Sequence, residues 1–286
     1  MRRQARLGVR SIMPTLLALT SVLAIGPGVA TRAQPASAIA CAPASPAASP
    51  AATVPASPVA PHAAEFPAAG GQLTVFAAAS LTDAFNDMKQ SLEAAHPGLT
   101  ITYNFAGSQA LVTQLQQGAK ADVFASANDV QMKAAIANGS IAGAPVVFAR
   151  NVLTIIVPAA NPAGIATAAD LAKPGLKLVL AAPAVPAGKY AREAICKLAA
   201  DSANGEGFAA KVAANVVSEE EDVRDVLAKV HLGEADAGIV YVTDAMSAGA
   251  AVRTIDIPAA ANVVATYPIA ATTDGDAALA DAFIAY

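Results

Sequence analysis

Two serines stand where a strand-like run gives way to a helical pattern. In "VFAAASLTDAFNDM", residues 75–88, an apolar run from Leu73 passes through three alanines to Ser80, after which Leu81, Ala84, Phe85 and Met88 recur at helical spacing. In "NFAGSQAL", Ser108 follows Ala106 and Gly107 at the same kind of junction. Serine is a favoured helix cap, and capping is one reading of both residues. The other starts from the unpaired N–H groups of a helix start, beside which each serine adds a hydroxyl donor. Two such junctions on neighbouring strands would aim both donor sets at one edge of a sheet. The small residues Ala77, Ala78, Ala79, Ala106 and Gly107 would leave that backbone open to close approach. The chemistry this suits is the binding of an anion.

The second half of the chain repeats the theme with other residue types. "PAVPAGKYAREA" places Ala187 and Gly188 at the start of a helix after the strand-like "LKLVLAAP", where a plain turn led by Pro186 is the competing reading. "VSEEEDVRDVL" places Val223 in the first turn of a further helix. The four acids from Glu219 to Asp222 complement a helix dipole, yet they would repel a bound anion unless they face away. Tyr241 ends the strand "AGIVY" and is either a hydroxyl donor or a core tyrosine bonded to a carbonyl.

These residues need a scaffold of strands followed by helices, and the pattern from Gln72 onward supplies one. "LTVFAA", "LTITYNFA" and "ADVFAS" each precede a helical segment, which predicts parallel β-α-β units in an α/β domain. A second block follows with "VLTIIVP", the helical "AADLAKP", "LKLVLAAP", a helix from about Gly188, "EEDVRDVLAKVHLG", "ADAGIVYV" and "VRTIDIP". Two α/β blocks predict two lobes, residues 72–149 with 268–286 and residues 150–267, joined by crossing segments near Arg150 and Tyr267. In such sheets ligands sit beyond the carboxyl ends of the strands.

The amino terminus reads as an export signal over residues 1–40. Arg2, Arg3, Arg6 and Arg10 precede an apolar segment, Met13 to about Ile25, that is too short to span a bilayer. Residues 41–71 form an Ala/Pro/Ser-rich linker, of a composition that cannot bury enough surface to fold. Cys41 in "SAIAC" reads as a lipid anchor or, alternatively, as a free linker cysteine after a peptidase site near Ala30 or Ala33. Two cysteines do not make a disulfide scaffold, and Cys196 in "AREAICKLAA" reads as a small core residue.

Composition narrows the function classes. A formal net charge of -4 without a basic stripe disfavours nucleic acid. A serine hydrolase lacks support because no G-x-S-x-G occurs, His62 lies in the linker, and His96 and His231 read as solvated helix ends. No clustered His, Cys or Tyr offers a metal or haem site, so no cofactor is expected. A carboxylate binder would recruit an arginine, with Arg150 and Arg224 as candidates, although Arg224 reads better as paired with a nearby acid.

"VFAAASLTDAF", "AGSQALVTQLQQGAKADVFASAN", "VPAGKYAREA", "EEDVRDVLAKV" and "AGIVYVTDA", in this order and spacing, resemble the molybdate-binding proteins that serve ABC transporters, over about residues 72–286. The resemblance implies a two-lobed periplasmic-binding-protein fold of type II, each lobe a mixed sheet flanked by helices. It implies an exported, monomeric binding protein and no enzyme. Such a protein closes on molybdate or tungstate and delivers it to a permease and its ATPase; membrane contact is expected only on the lipid-anchor reading of Cys41. It further implies Ser80 and Ser108 as ligands through hydroxyl and backbone N–H, Ala187 and Val223 through backbone N–H, and Tyr241 through its hydroxyl. Gly107 stands where the family commonly has serine, a change expected to matter little. The same architecture for another oxyanion such as sulfate, or a tethered oxyanion sensor, is the alternative.

Overall fold

In a computed structural model the described residues are 38–41 and 65–286. The export signal lies outside them except for residues 38–40, and so does the linker except for Cys41 and residues 65–71.

β1 (Gly71–Ala78), α1 (Thr82–Ala95), β2 (Leu99–Ala106), α2 (Ser108–Gln116), β3 (Val123–Ala125) and α3 (Asp129–Ala137) alternate as the periodicity predicts. β1 lies between β2 and β3 and is parallel to both. Its residues from Val75 onward are buried without alternation, as expected of a strand covered on both faces. β2 lies at the edge, and its first residues alternate between buried and exposed.

β4 (Ile141–Pro158) is an 18-residue strand that belongs to two sheets. Its first part pairs antiparallel with β9 (Val264–Thr272), which also borders β3, so the first sheet runs β2-β1-β3-β9-β4. Its second part, buried from Leu153, pairs with β7 (Ala237–Tyr241) and β8 (Val252–Ile255). β5 (Leu178–Ala181) and β6 (Val216–Glu220) complete a second sheet, β8-β4-β7-β5-β6. α4 (Pro186–Ala200), α5 (Phe208–Asn215), α6 (Val223–His231) and α7 (Val242–Ala248) accompany this sheet, and α8 (Ala277–Ala285) returns to β9. Both sheets are mixed, so the molecule is two-lobed α/β.

Two local readings differ from the structure. "AADLAKP" forms a 3-10 turn over Ala168–Ala172 instead of an α-helix. The acidic run is divided: Glu219 and Glu220 end β6, where Glu219 pairs with Arg192 of α4 and Glu220 with Lys229 of α6 at 2.7 Å, while Asp222 caps α6. These pairs override the low strand propensity of glutamate. His96 caps the end of α1 and lies 4.9 Å from the Phe66 ring, centroid to centroid.

The readings of both cysteines are corrected. Cys41 and Cys196 form a disulfide that ties the segment 38–41, with Ile39 buried, to α4. A sulfur committed to a disulfide cannot carry a thioether-linked lipid, so Cys41 is not a lipid anchor in this structure. Cys196, for its part, is a cross-link and no mere space-filler. Cys196→Ala should lower unfolding free energy by about 2 to 4 kcal/mol. Urea unfolding of parent and variant without reductant checks this, and reductant should bring the parent down to the variant.

Candidate anion-binding site

The strands stop at one edge, and the five residues singled out in the sequence follow their ends. Ser80 lies in the 3-10 turn Ala79–Leu81 after β1, and Ser108 opens α2 after β2. Ala187 lies in the first turn of α4 after β5, Val223 opens α6 after β6, and Tyr241 ends β7. All five line one small cavity, with Ala79, Gly107, Ala127 and Asp222 among its other walls. A wider depression around Asn161, Thr167, Lys197 and Arg253 holds none of these junctions.

Neither serine is a helix cap. Leu81 precedes α1 and Gly107 precedes α2, and no side chain caps either start. The Ser108 hydroxyl oxygen accepts the Ala127 N–H at 3.0 Å, which leaves its own proton to donate. Ser80 Oγ lies 3.1 Å from the Tyr267 hydroxyl. If Tyr267 donates, the Ser80 proton is likewise turned outward. Both serines are almost wholly buried, so a ligand in the cavity is the partner their protons can reach.

The backbone contributes in the same direction. The 3-10 turn before α1, α2 and α4 all start without a capping side chain, whereas α3, α6 and α8 are capped by Asn128, Asp222 and Asp276. First-turn amides have no acceptor inside their own helix, so these three starts bring unsatisfied N–H groups to the cavity. Pro186 takes the N1 position of α4, which makes Ala187 its first amide. A side chain at Gly188 would overlap the carbonyl oxygens of Ala181 and Ala182, so only glycine lets α4 seat this closely on β5. Arg192 fastens the same turn by donating to Ala181 O at 2.7 Å and Gly188 O at 2.9 Å.

The acids near the cavity are largely neutralised. Glu219 and Glu220 are ion-paired as described, and Asp222 Oδ1 accepts the N–H groups of Arg224 and Asp225 at 2.7 and 3.1 Å. That cap leaves the amide of Val223 free of its own helix. Arg224 is paired too, its Nη2 lying 2.7 Å from Asp83 Oδ2 and its Nε 3.0 Å from Asp244 Oδ1, while Arg150 is exposed on β4. No arginine lines the cavity.

The Tyr241 hydroxyl is buried and makes no well-formed hydrogen bond, so the reading as a core tyrosine bonded to a carbonyl does not hold. Burial, with the adjacent Tyr267, pushes its pKa well above the usual tyrosine value, and burial does the same to Tyr267. Both therefore stay protonated donors. Tyr267 went unnoticed beside the site because Ser80 lies 187 positions away, and it sits within β9 with no local signal of its own.

Behind Tyr241 lies Asp244, whose carboxylate accepts the Tyr241 N–H at 3.2 Å. Burial pushes the Asp244 carboxyl up to about 7, against the opposing pull of Arg224. A carboxyl whose folded value exceeds its unfolded 3.8 adds stability at low pH that is lost as pH rises through this window. Asp244→Asn keeps an acceptor for the Tyr241 N–H and removes the titration. The variant should gain on the parent by about 1.4 kcal/mol per pH unit from roughly pH 4 to 7 and run parallel above that. Urea unfolding at a series of pH values reads this directly.

The family model for bacterial extracellular solute-binding proteins matches residues 73–286. The molybdate-binding protein ModA of Mycobacterium tuberculosis strain H37Rv is 44% identical over 205 residues, 71% of this chain and 74% of that protein. Among solved structures, the substrate-binding domain of a putative molybdenum ABC transporter from Clostridium difficile matches with a TM-score of 0.54 at 27% identity. That match covers 75% of this chain and 91% of that one. The sulfate-binding protein SubI of M. tuberculosis shares the fold, with a TM-score of 0.64 at 19% identity over 75% and 81% of the two chains. With its five junctions on one cavity and these relatives over most of its length, the chain belongs to the bacterial extracellular solute-binding proteins, within their molybdate-binding ModA family.

Proposed function

We propose that this protein captures molybdate, and tungstate with it, outside the cytoplasm and delivers it to an ABC permease and its ATPase. The ligands are Ser80, Ser108, Ala187, Val223 and Tyr241. The lobes that close on the anion are residues 72–149 with 268–286 and residues 150–267, and the binding unit is a monomer. The observation that carries this reading is the convergence of three uncapped helix starts and a buried tyrosine hydroxyl without a well-formed hydrogen bond on one small cavity.

An oxyanion entering a dry cleft loses strong hydration and is held only if its oxygens find donors. Charge-assisted hydrogen bonds contribute about 1.5 to 3 kcal/mol each, so five give roughly 8 to 15 kcal/mol gross. Micromolar to nanomolar binding corresponds to about -8 to -12 kcal/mol, which leaves little for reorganisation and requires preformed donors. The interlocked serines and the seated turn of α4 meet that requirement. Donors suit a fully ionised oxyanion better than a protonated phosphate, whose own proton needs an acceptor.

Titration calorimetry with molybdate, tungstate, sulfate and phosphate, each beside a melting curve, tests the proposal. Tight molybdate and tungstate binding with weak sulfate binding is expected. A ligand at a hundredfold over its Kd should add about 2.7 kcal/mol of stability. Tight sulfate binding would reassign the ion and keep the donor site, whereas failure of all four anions to bind would overturn the reading.

A further inference from the structure

Arg224 sits beside the proposed ligand Val223 but touches the cavity wall from behind. Its Nε lies 3.0 Å from Asp244 Oδ1, an ion pair without hydrogen-bond geometry, and Asp244 is fully buried and holds the backbone of Tyr241. Its Nη2 reaches Asp83 Oδ2 at 2.7 Å, in the first turn of α1 and three residues after Ser80. One guanidinium therefore connects two segments carrying proposed ligands of the second sheet with the segment carrying Ser80 of the first. Arg224 and Asp83 are 141 residues apart in sequence.

We propose that Arg224 is the latch of the closed cleft: held on buried Asp244 behind Tyr241, its guanidinium catches Asp83 at the start of α1 and so sets how long a captured anion is retained. The inference rests on the oxyanion reading and the lobe boundaries proposed above. It makes Arg224 and Asp83 positioning residues, because neither lines the cavity.

The two ends of the latch differ in exposure, which gives it a direction. Asp83 is half exposed and Asp244 is fully buried, so the arginine belongs to the α6 side and Asp83 is the partner that can part from it. A carboxylate approaching a guanidinium already fixed in place loses less side-chain freedom than one meeting a mobile partner. Ser247 of α7 and Arg224 hold the Asp83 carboxyl below its usual value, and both residues come from the far side of the cleft. The link also neutralises Asp83, which would otherwise stand as an unpaired negative charge near a bound anion.

Other side chains cross at the same seam. Gln109 Nε2 donates to Glu221 O at 2.9 Å, and Gln131 Nε2 donates to Ala184 O at 3.1 Å. A β-carbon at Gly107 would stand 2.5 Å from Glu221 O, so the glycine in place of the family's serine permits this close approach. A serine there would require Glu221 O and the Gln109 side chain to shift.

The latch is tested with Asp83→Asn in the full chain, using stopped-flow dissociation of molybdate beside a melting curve of the free protein. Dissociation should be about 3- to 10-fold faster, with association unchanged within a factor of two, since interactions made on closure act on the off-rate. Asp83→Glu should recover most of the parent's retention, which a merely structural defect would not allow. An unchanged off-rate would overturn the latch, and so would slower dissociation, which would mean that Asp83 acts by repelling the anion. A parent that binds no molybdate would overturn the functional proposal itself, a result distinct from parent binding with an insensitive Asp83.

Discussion

Replacing Ser80 and Ser108 together by alanine should weaken molybdate binding by roughly 10²- to 10⁴-fold, the loss of two charge-assisted hydrogen bonds worth about 1.5 to 3 kcal/mol each. The magnitude follows from the state of the two hydroxyls. Ser108 already accepts from Ala127, and Ser80 is engaged with Tyr267, so neither oxygen is occupied in capping its helix. The free protein loses those two bonds as well, at about 1 to 3 kcal/mol together, so its melting temperature should fall modestly while the fold persists. Calorimetric titration of the double variant, with circular dichroism as the control on fold, separates the effects. Affinity unchanged in a folded double variant would reduce both serines to structural roles.

The comparison of expectation with structure divides along sequence distance. β2 occupies the residues whose apolar run marked a strand, and each junction carrying Ser80, Ser108, Ala187, Val223 or Tyr241 lies at a strand's carboxyl end, because these features depend on neighbours a few positions away. The edge strand β6 was not legible, since its glutamates disfavour a strand until Arg192 and Lys229 arrive from other elements. Nor was the Cys41–Cys196 bond, whose partners are 155 positions apart. Of the two readings of the serines, capping is the one the structure contradicts, because the helices leave their starts uncapped and the hydroxyls turn to Tyr267 and Ala127. The Arg224 pairing was half legible: an acid nearby in sequence was the natural guess, whereas Asp83 comes from the opposite sheet.

Tyr241→Phe should produce effects of opposite sense in the liganded and free protein. The hydroxyl is buried without a well-formed partner, so removing it costs the free protein nothing and can add up to about 1 kcal/mol of stability. Ring packing against Tyr267, at 5.8 Å between centroids, survives the change because phenylalanine keeps the ring. Molybdate affinity should nevertheless fall about 10- to 150-fold, the loss of one hydrogen bond to a charged group. A core tyrosine bonded within the protein would behave otherwise, losing about 1 kcal/mol of free-protein stability with affinity intact. Two curves decide between these readings, a melt without anion and a titration with molybdate. A lower melting temperature with unchanged affinity would return Tyr241 to the core. An equal or higher melting temperature with a large loss of affinity is what a donor preformed for an oxyanion requires, because such a site keeps its hydrogen-bonding capacity for the ligand.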